Sequence, residues 1–211
     1  MRLTGGTPVL RTECLVGAPT GTECAPKRPM LKISENPPML PPGCSGLGEL
    51  QGAWWVAHTR ARFEKAFAWD LLHRGVGYFL PLLEQTKVSG GKKRLVLSPL
   101  FSSYVFFCGS DEDRYWAMTT NRLCQTIPVR DPAKFLGELS AIQKVLAGKA
   151  VLDPYPFAAV GKRCRIKGGP FQGTEGTVIQ RGKTWRLVLQ VSMLGQGATM
   201  EVDADLLEPL D

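Results

Sequence analysis

The sequence has few of the residues that enzymes and metal sites need. It contains only two histidines, His58 and His73, and neither lies near a cysteine or in a recognisable nucleophile or phosphate-loop setting. The six cysteines include no C-x-x-C pair, so their spacing predicts neither a zinc site nor a disulfide framework. We therefore expect a protein that is not an enzyme, with no catalytic residue, no metal, no cofactor and reduced thiols.

Long apolar runs are also missing. No stretch approaches the roughly 18 to 20 apolar residues of a membrane-spanning helix. The start of the chain has no continuous apolar core of a signal peptide, because Arg11, Glu13 and several glycines, threonines and prolines follow the first ten residues. We expect a cytoplasmic, monomeric protein without a membrane partner.

The first 50 residues contain no aromatic residue, although they hold eight prolines and seven glycines. Such a segment buries too little apolar surface to offset the entropy of ordering it. Residues 1–50 are therefore expected to be a disordered tail without function. A start codon placed too early in the gene would explain them equally well.

Positive charge is in excess. The chain has 26 basic and 19 acidic residues, a net charge of +7 and a pI of about 9.2. Most of the surplus lies in residues 52–147. It indicates either contact with nucleic acid or an acidic partner, or only a solvated basic surface.

Residues 53–148 have the pattern of an α+β domain. An aromatic strand starts at Trp54, a helix with apolar residues at helical spacing follows to Arg74, and Gly75 ends it. Further strands, a long hairpin and a short helix precede a last helix, which Asp131 and Pro132 begin. The order predicts a split β-α-β, ferredoxin-like sandwich.

Residues 149–158, with Pro154 and Pro156, are expected to be a linker. Beyond it, residues 159–211 show only short strands separated by glycine turns at about ten-residue spacing. That pattern predicts a small closed β-barrel.

The strongest motif runs from Val160 to Val178. Alternating apolar residues lead into a glycine-rich turn, and a second strand leaves after Gly176. We expect Gly168, Gly173 and Gly176 to supply backbone conformations closed to other residues. The run resembles the KOW motif, which implies an SH3-like barrel.

A second motif lies in the first domain. Trp54–Trp55–Val56, together with Pro99–Leu100–Phe101–Ser102–Ser103–Tyr104–Val105–Phe106, resembles the N-terminal domain of the NusG family. The resemblance covers about residues 53–210. Ser102–Ser103 stands where the family usually has Pro-Gly, and we expect a looser turn there.

The NusG resemblance implies a transcription elongation, termination or antitermination factor that docks on RNA polymerase through an aromatic surface. Carried over residue by residue, that surface involves Trp54, Phe101 and Tyr104. The alternative is that these rings fill the domain's own core, and for Trp54 both remain open.

The hairpin tip concentrates cations around two glycines. Its candidate nucleic-acid contacts are Lys87, Lys92, Lys93 and Arg94. Point charges on such a loop suit DNA phosphates, and the resemblance implies the upstream DNA of the elongation complex. A solvated edge loop is the alternative, and it is preferred for the second basic patch, Arg60, Arg62 and Lys65.

In the barrel, Phe171, Met193 and Leu194 resemble positions where the family's KOW domain receives a ribosomal protein or the Rho terminator, which implies such a partner here. Leu194 replaces an aromatic residue often found there. The departure at Ser102–Ser103 and the unusual N-terminus favour an operon-specific paralogue over a general factor. The main alternative function is an RNA-binding or ribosome-associated KOW module that does not act on polymerase.

Overall fold

The computed structural model describes residues 33–89, 91–155, 161–181 and 184–210. All of them belong to one compact unit, Leu31–Asp211. No helix in these ranges is long and apolar enough to cross a membrane. In chain order, the elements of the first half are β1 (Ala53–Thr59), α1 (Glu64–Arg74), β2 (Gly77–Phe79), β3 (Leu82–Ser89), β4 (Lys92–Pro99), β5 (Tyr104–Gly109), α2 (Asp111–Thr119), β6 (Leu123–Pro128) and α3 (Pro132–Ala147).

A four-stranded antiparallel sheet forms the centre of this half, with the strand order β2-β5-β1-β6. Its central strands β1 and β5 each bury four consecutive residues, Trp54–Ala57 and Val105–Cys108. Because successive residues of a strand point to opposite faces, both faces of the sheet must be covered.

The helices divide between those two faces. α1 packs with Trp55, Ala57 and Phe107 in one apolar cluster, and α3 packs with Trp54, Val56 and Phe106 in another. The sheet and the helices on its two faces therefore form three layers. The mixed α/β class and the order of helices and strands along the chain agree with the prediction.

Local signals explain where the helices begin and end. The Asp131 carboxylate accepts a hydrogen bond from the Lys134 N–H at 3.0 Å, and Pro132 occupies the first turn of α3. Ser110 and Asp113 form a capping box at the start of α2. Gly75 ends α1 in the left-handed conformation, with φ 75°.

Residues 33–52 form a strap across the first half, and the prediction of a disordered tail over 1–50 is wrong for this part. Leu47 is 1% exposed and lies in the same cluster as α3. The Gln143 amide donates to the Ser45 carbonyl and accepts from the Leu47 N–H. The Tyr78 hydroxyl donates to the Pro38 carbonyl at 3.0 Å, and burial raises the pKa of Tyr78 to about 12. The rest of the predicted tail, residues 1–32, lies outside the described residues.

A six-stranded antiparallel sheet, which we call the C-terminal sheet, forms the second half of the chain. Its strands are β7 (Asp153–Tyr155), β8 (Lys162–Ile166), β9 (Glu175–Arg181), β10 (Thr184–Val191), β11 (Gln196–Glu201) and β12 (Leu207–Pro209), in the order β12-β8-β9-β10-β11-β7. β7 and the buried Leu152 fall in the predicted linker. The linker prediction is therefore corrected for residues 152–155, while residues 156–158 lie outside the described part.

Candidate functional site

Two of the three predicted docking residues are part of the core. Trp54 is 4% exposed and meets Phe135 of α3 edge-to-face, with ring centroids 5.9 Å apart. Phe101 is 1% exposed and packs against Phe106 in the same manner. Neither side chain offers a surface to a partner in this structure, so both hold the sheet and α3 together instead.

Tyr104, the third predicted docking residue, is half-buried at the start of β5. Its ring stacks on His58 of β1, with centroids 5.1 Å apart and an angle of 21° between the planes. The strand register places the two residues directly opposite each other. The accessible part of the predicted aromatic surface is therefore the His58–Tyr104 stack. Sequence reasoning missed His58, because only the register of β1 and β5 places it opposite Tyr104.

The turn before Tyr104 is held tightly. Ser103 adopts a left-handed conformation with φ 67°, a region that favours glycine. Its N–H donates to the carboxylate of the buried Glu64 at 2.7 Å, and its carbonyl accepts from the Thr59 N–H at 2.8 Å. The expected looser turn is therefore not observed, because Glu64 and Thr59 fix the backbone in the conformation that a glycine would adopt. Sequence reasoning missed Glu64, since a glutamate at a helix start is ordinarily a solvated capping residue.

Ser103→Gly is expected to stabilise the protein. A left-handed non-glycine residue costs about 1–2 kcal/mol, and the added freedom of glycine in the unfolded chain costs about 0.4–1 kcal/mol. The net gain in the free energy of unfolding should be about 0.5–1 kcal/mol, measured by urea denaturation. Ser102→Gly is the control: its φ is negative, so it should only lose stability. If both variants lost the same free energy of unfolding, the backbone of Ser103 would not be strained.

The four predicted nucleic-acid contacts lie on the β3–β4 hairpin, and the strand register separates them. Lys87 pairs directly with Arg94, and Ser89 pairs with Lys92. These positions share one face of the hairpin, because alternate residues of a strand point the same way. Lys93 pairs with Val88 on the opposite face.

Lys65 of α1 lies at the base of the hairpin and close to Lys87. Its ammonium group donates to the Leu97 carbonyl of β4. Burial and the nearby charge of Lys87 lower the pKa of Lys65. The sequence predicts a solvated patch that includes Lys65, but in the structure Lys65 is half-buried.

The three predicted partner residues of the second half lie at or beside its contact with α3. The ring of Phe171 lies against Gly148, directly after α3, and Lys144 donates to the Gln172 carbonyl. The Glu138 carboxylate accepts hydrogen bonds from the Ser192 N–H, at 2.9 Å, and from the Ser192 hydroxyl. Ser192 begins the short turn that contains the other two predicted partner residues, Met193 and Leu194. Leu194 is half-buried against the core, whereas Met193 is 37% exposed.

Metal ligands and reactive thiols do not converge within the described ranges. They contain no group of three or more His, Cys, Asp or Glu side chains that could hold a metal ion. The four described cysteines, Cys44, Cys108, Cys124 and Cys164, are free. Burial raises the pKa of the Cys108 thiol to about 12, which keeps it protonated and unreactive.

Two comparisons with known proteins point to the same family. Residues 52–133, from β1 to the start of α3, match the family model described as "Transcription termination factor nusG". The transcription termination/antitermination protein NusG of Borreliella burgdorferi is 25% identical over 185 residues, which cover 75% of this chain and 98% of that protein. The family model and the curated relative together support a NusG-family factor.

The solved structures that are similar to this chain are more distant. One, described as domain interaction in Thermotoga maritima NusG, has 18% identity and a TM-score of 0.40, covering 76% of this chain and 98% of that one. Another, the MjSpt4:Spt5 complex, has 14% identity and a TM-score of 0.23, covering 75% and 97%. The resemblance stated from the motifs of β1 and β5 is thus confirmed by the family model and the curated relative.

Proposed function

We propose that this NusG-family protein is a transcription termination/antitermination factor that binds RNA polymerase through its first domain. The observation that carries the proposal is the His58–Tyr104 stack, a pair of half-buried rings at the edge of the family-matched domain. Aromatic rings that are packed on one side and accessible on the other are typical anchors of protein interfaces. Tyr104 packs against the buried cluster that includes Trp54 and Phe101.

The cationic face of the hairpin, Lys87, Lys92 and Arg94, would contact the upstream DNA of the elongation complex, whereas Lys93, predicted with them, lies on the opposite face. Within the described part of the chain, Lys87, Lys92, Lys93 and Arg94 form no ion pair and are exposed. Like charges placed directly opposite each other, as in Lys87 and Arg94, destabilise an antiparallel pair. This arrangement therefore suits a polyanionic partner better than it suits the hairpin alone. A factor that holds polymerase and DNA together would favour the elongating state through differential affinity.

The second half would be a KOW domain with an SH3-like barrel that recruits a further factor, a ribosomal protein or Rho. Its candidate contacts are Phe171, Met193 and Leu194. Because Phe171 and Leu194 are partly covered by the first half, a partner that uses them must first displace the contact with α3. The hydrogen bonds from Ser192 to Glu138 are then among those that must break.

An RNA-binding KOW module that does not act on polymerase remains the alternative. Two arginines of β8 argue against this alternative. Arg163 and Arg165 both form ion pairs with Glu175, and the nitrogen–oxygen distance of the Arg165 pair is 2.6 Å. Their charge is already partly neutralised, unlike that of the hairpin. Co-purification from cells would distinguish the two functions, since the alternative predicts ribosomal proteins without polymerase subunits.

Tyr104→Ala is expected to weaken binding to RNA polymerase by about 2 kcal/mol, the scale of an aromatic hot spot, or roughly 30-fold in Kd. The measurement is equilibrium binding of the full chain to core polymerase. Tyr115→Ala is the matched control, because Tyr115 is a tyrosine of α2 that is 77% exposed and is not a member of the stacked pair. A Tyr104→Ala protein that remains folded and binds as tightly as the Tyr115→Ala protein would refute the assignment.

A further inference from the structure

The β3–β4 hairpin is a two-stranded ribbon whose outer half has no cover. The residues described around its tip, from Thr86 to Val88 and from Lys92 to Leu95, are all exposed. A two-stranded hairpin by itself is marginally stable in water, and a further layer is normally needed to hold it. The only layer available to this ribbon in the described structure lies at its base, where Val96 is buried.

The register gives the two faces of the ribbon different chemistry. Lys87, Arg94 and Lys92 share the cationic face. The opposite face carries the pairs Val88–Lys93 and Thr86–Leu95. Val88 and Leu95 are diagonal neighbours on this face, close enough for their side chains to form one apolar surface.

This apolar face is accessible and continuous with the core. Val88 is 67% exposed and Leu95 is 46% exposed. Leu97, two residues beyond Leu95 on the same face, packs against the cluster that includes α1. Single exposed apolar residues are ordinary on protein surfaces, but two adjacent ones on an otherwise uncovered ribbon form a surface that a partner can bury.

We propose that the apolar face of the hairpin, Val88 and Leu95 with Lys93 beside them, docks on an apolar protein surface of RNA polymerase that carries carboxylates. The inference rests on the proposed function, and it places the hairpin between polymerase on this face and DNA on the other. Nucleic acid is a poor occupant of this face, because branched aliphatic side chains cannot stack on bases as aromatic rings do. Lys93 selects for an acidic rim by charge complementarity.

The test compares the full chain with a Val88→Ser/Leu95→Ser double variant in equilibrium binding to core RNA polymerase without nucleic acid. The double variant should bind about tenfold more weakly, with the same dependence on salt, because the lost contact is apolar. Val151→Ser is the matched control, since Val151 is an 82% exposed valine outside the hairpin. It should bind like the unaltered chain.

A second comparison separates the two faces. The Lys87→Ala/Arg94→Ala double variant should reduce the salt dependence of binding to a DNA-containing elongation complex, by roughly 0.7–0.9 in slope per lost phosphate contact. The Val88→Ser/Leu95→Ser variant should leave that slope unchanged. If the apolar variant changed the slope and the affinity for core enzyme stayed constant, this face would bind DNA and the inference would be wrong.

The remaining outcomes are also decisive. Thermal unfolding of each variant checks that the domain stays folded, and the exposed positions make a large change unexpected. If Tyr104→Ala weakens binding but the apolar variant binds like the unaltered chain, the inference fails while the proposed function stands. If the unaltered chain does not bind polymerase, both fail. If sedimentation shows a dimer that the apolar variant loses, a second copy of the chain covers this face and the inference is overturned.

Discussion

Leu47→Ala is expected to lower the free energy of unfolding by about 2–5 kcal/mol, the range for truncating a buried leucine. Leu47 is 1% exposed and lies in the cluster that contains Trp54, Phe135 and Ile142. Its backbone N–H also meets the Gln143 amide of α3, so the segment is fixed and cannot easily collapse into the cavity. Urea denaturation followed by tryptophan fluorescence measures the effect.

Ile33→Ala is the control within the same strap. Ile33 is 47% exposed, so its truncation should change the free energy of unfolding by no more than about 0.5 kcal/mol. If Leu47→Ala lowered the free energy of unfolding no more than Ile33→Ala, the strap would not contribute to the stability of the fold. The disordered tail predicted from composition would then be the better description of residues 33–50.

Gly176→Ala is expected to destabilise the C-terminal sheet by about 3 kcal/mol, at the upper end for overpacking. A Cβ at this position would lie 2.5 Å from the Val188 carbonyl oxygen of β10 and 3.0 Å from the Leu187 side chain. The nearest atom belongs to a paired strand, so the backbone itself must move. Thermal unfolding of the variant measures the loss of stability. One transition would show that the whole unit is destabilised together, and two transitions would show that the C-terminal sheet unfolds separately.

Gly168→Ala is the matched substitution in the same motif. Its added Cβ would meet only Leu206, at 3.7 Å, which is an ordinary contact, and Gly168 has no positive φ. We expect a change within about 0.5 kcal/mol. If both substitutions lowered the stability by a similar amount, the turn would require glycine, and the close approach of two strands would not be the reason.

These two glycines show what the motif did and did not predict. The sequence suggested that Gly168, Gly173 and Gly176 all supply special backbone conformations. Gly173 does, with φ 81°, and the neighbouring Gly169 has φ 82°. Gly176 is required because a Cβ at its position would collide with β10. Gly168 has neither a positive φ nor a neighbour that excludes a Cβ. A glycine-rich run predicts a tight turn, but only the packing of the adjacent strand shows which glycine lacks room for a Cβ.

Elements with strong local signals were predictable. The start of α3 at Pro132 follows from its capping aspartate, and the end of α1 follows from Gly75. The face that Trp54 occupies was not predictable, because β1 is buried on both sides and its pattern has no alternation to read.

The strap and β7 were missed for a different reason. Their prolines and glycines are typical of disordered or linking segments, and their order comes from contacts with distant residues. Leu47 is fixed by α3, and β7 by its pairing with β11. The candidate site was predicted in the same uneven way: Tyr104 and the hairpin cations lie at accessible positions, but His58 and Glu64 become visible only once β1, α1 and β5 are assembled.

The strap also sets an order of events during synthesis. Ser45 and Gln143, which it joins, are 98 residues apart in the chain. At ribosomal rates of about 5–20 residues per second, the strap therefore waits roughly 5–20 s for α3 to be made. During that time Leu47 and the sheet face beneath α3 are without their partner and available to chaperones. The first domain of a growing chain is thus complete only when its last helix has left the ribosome.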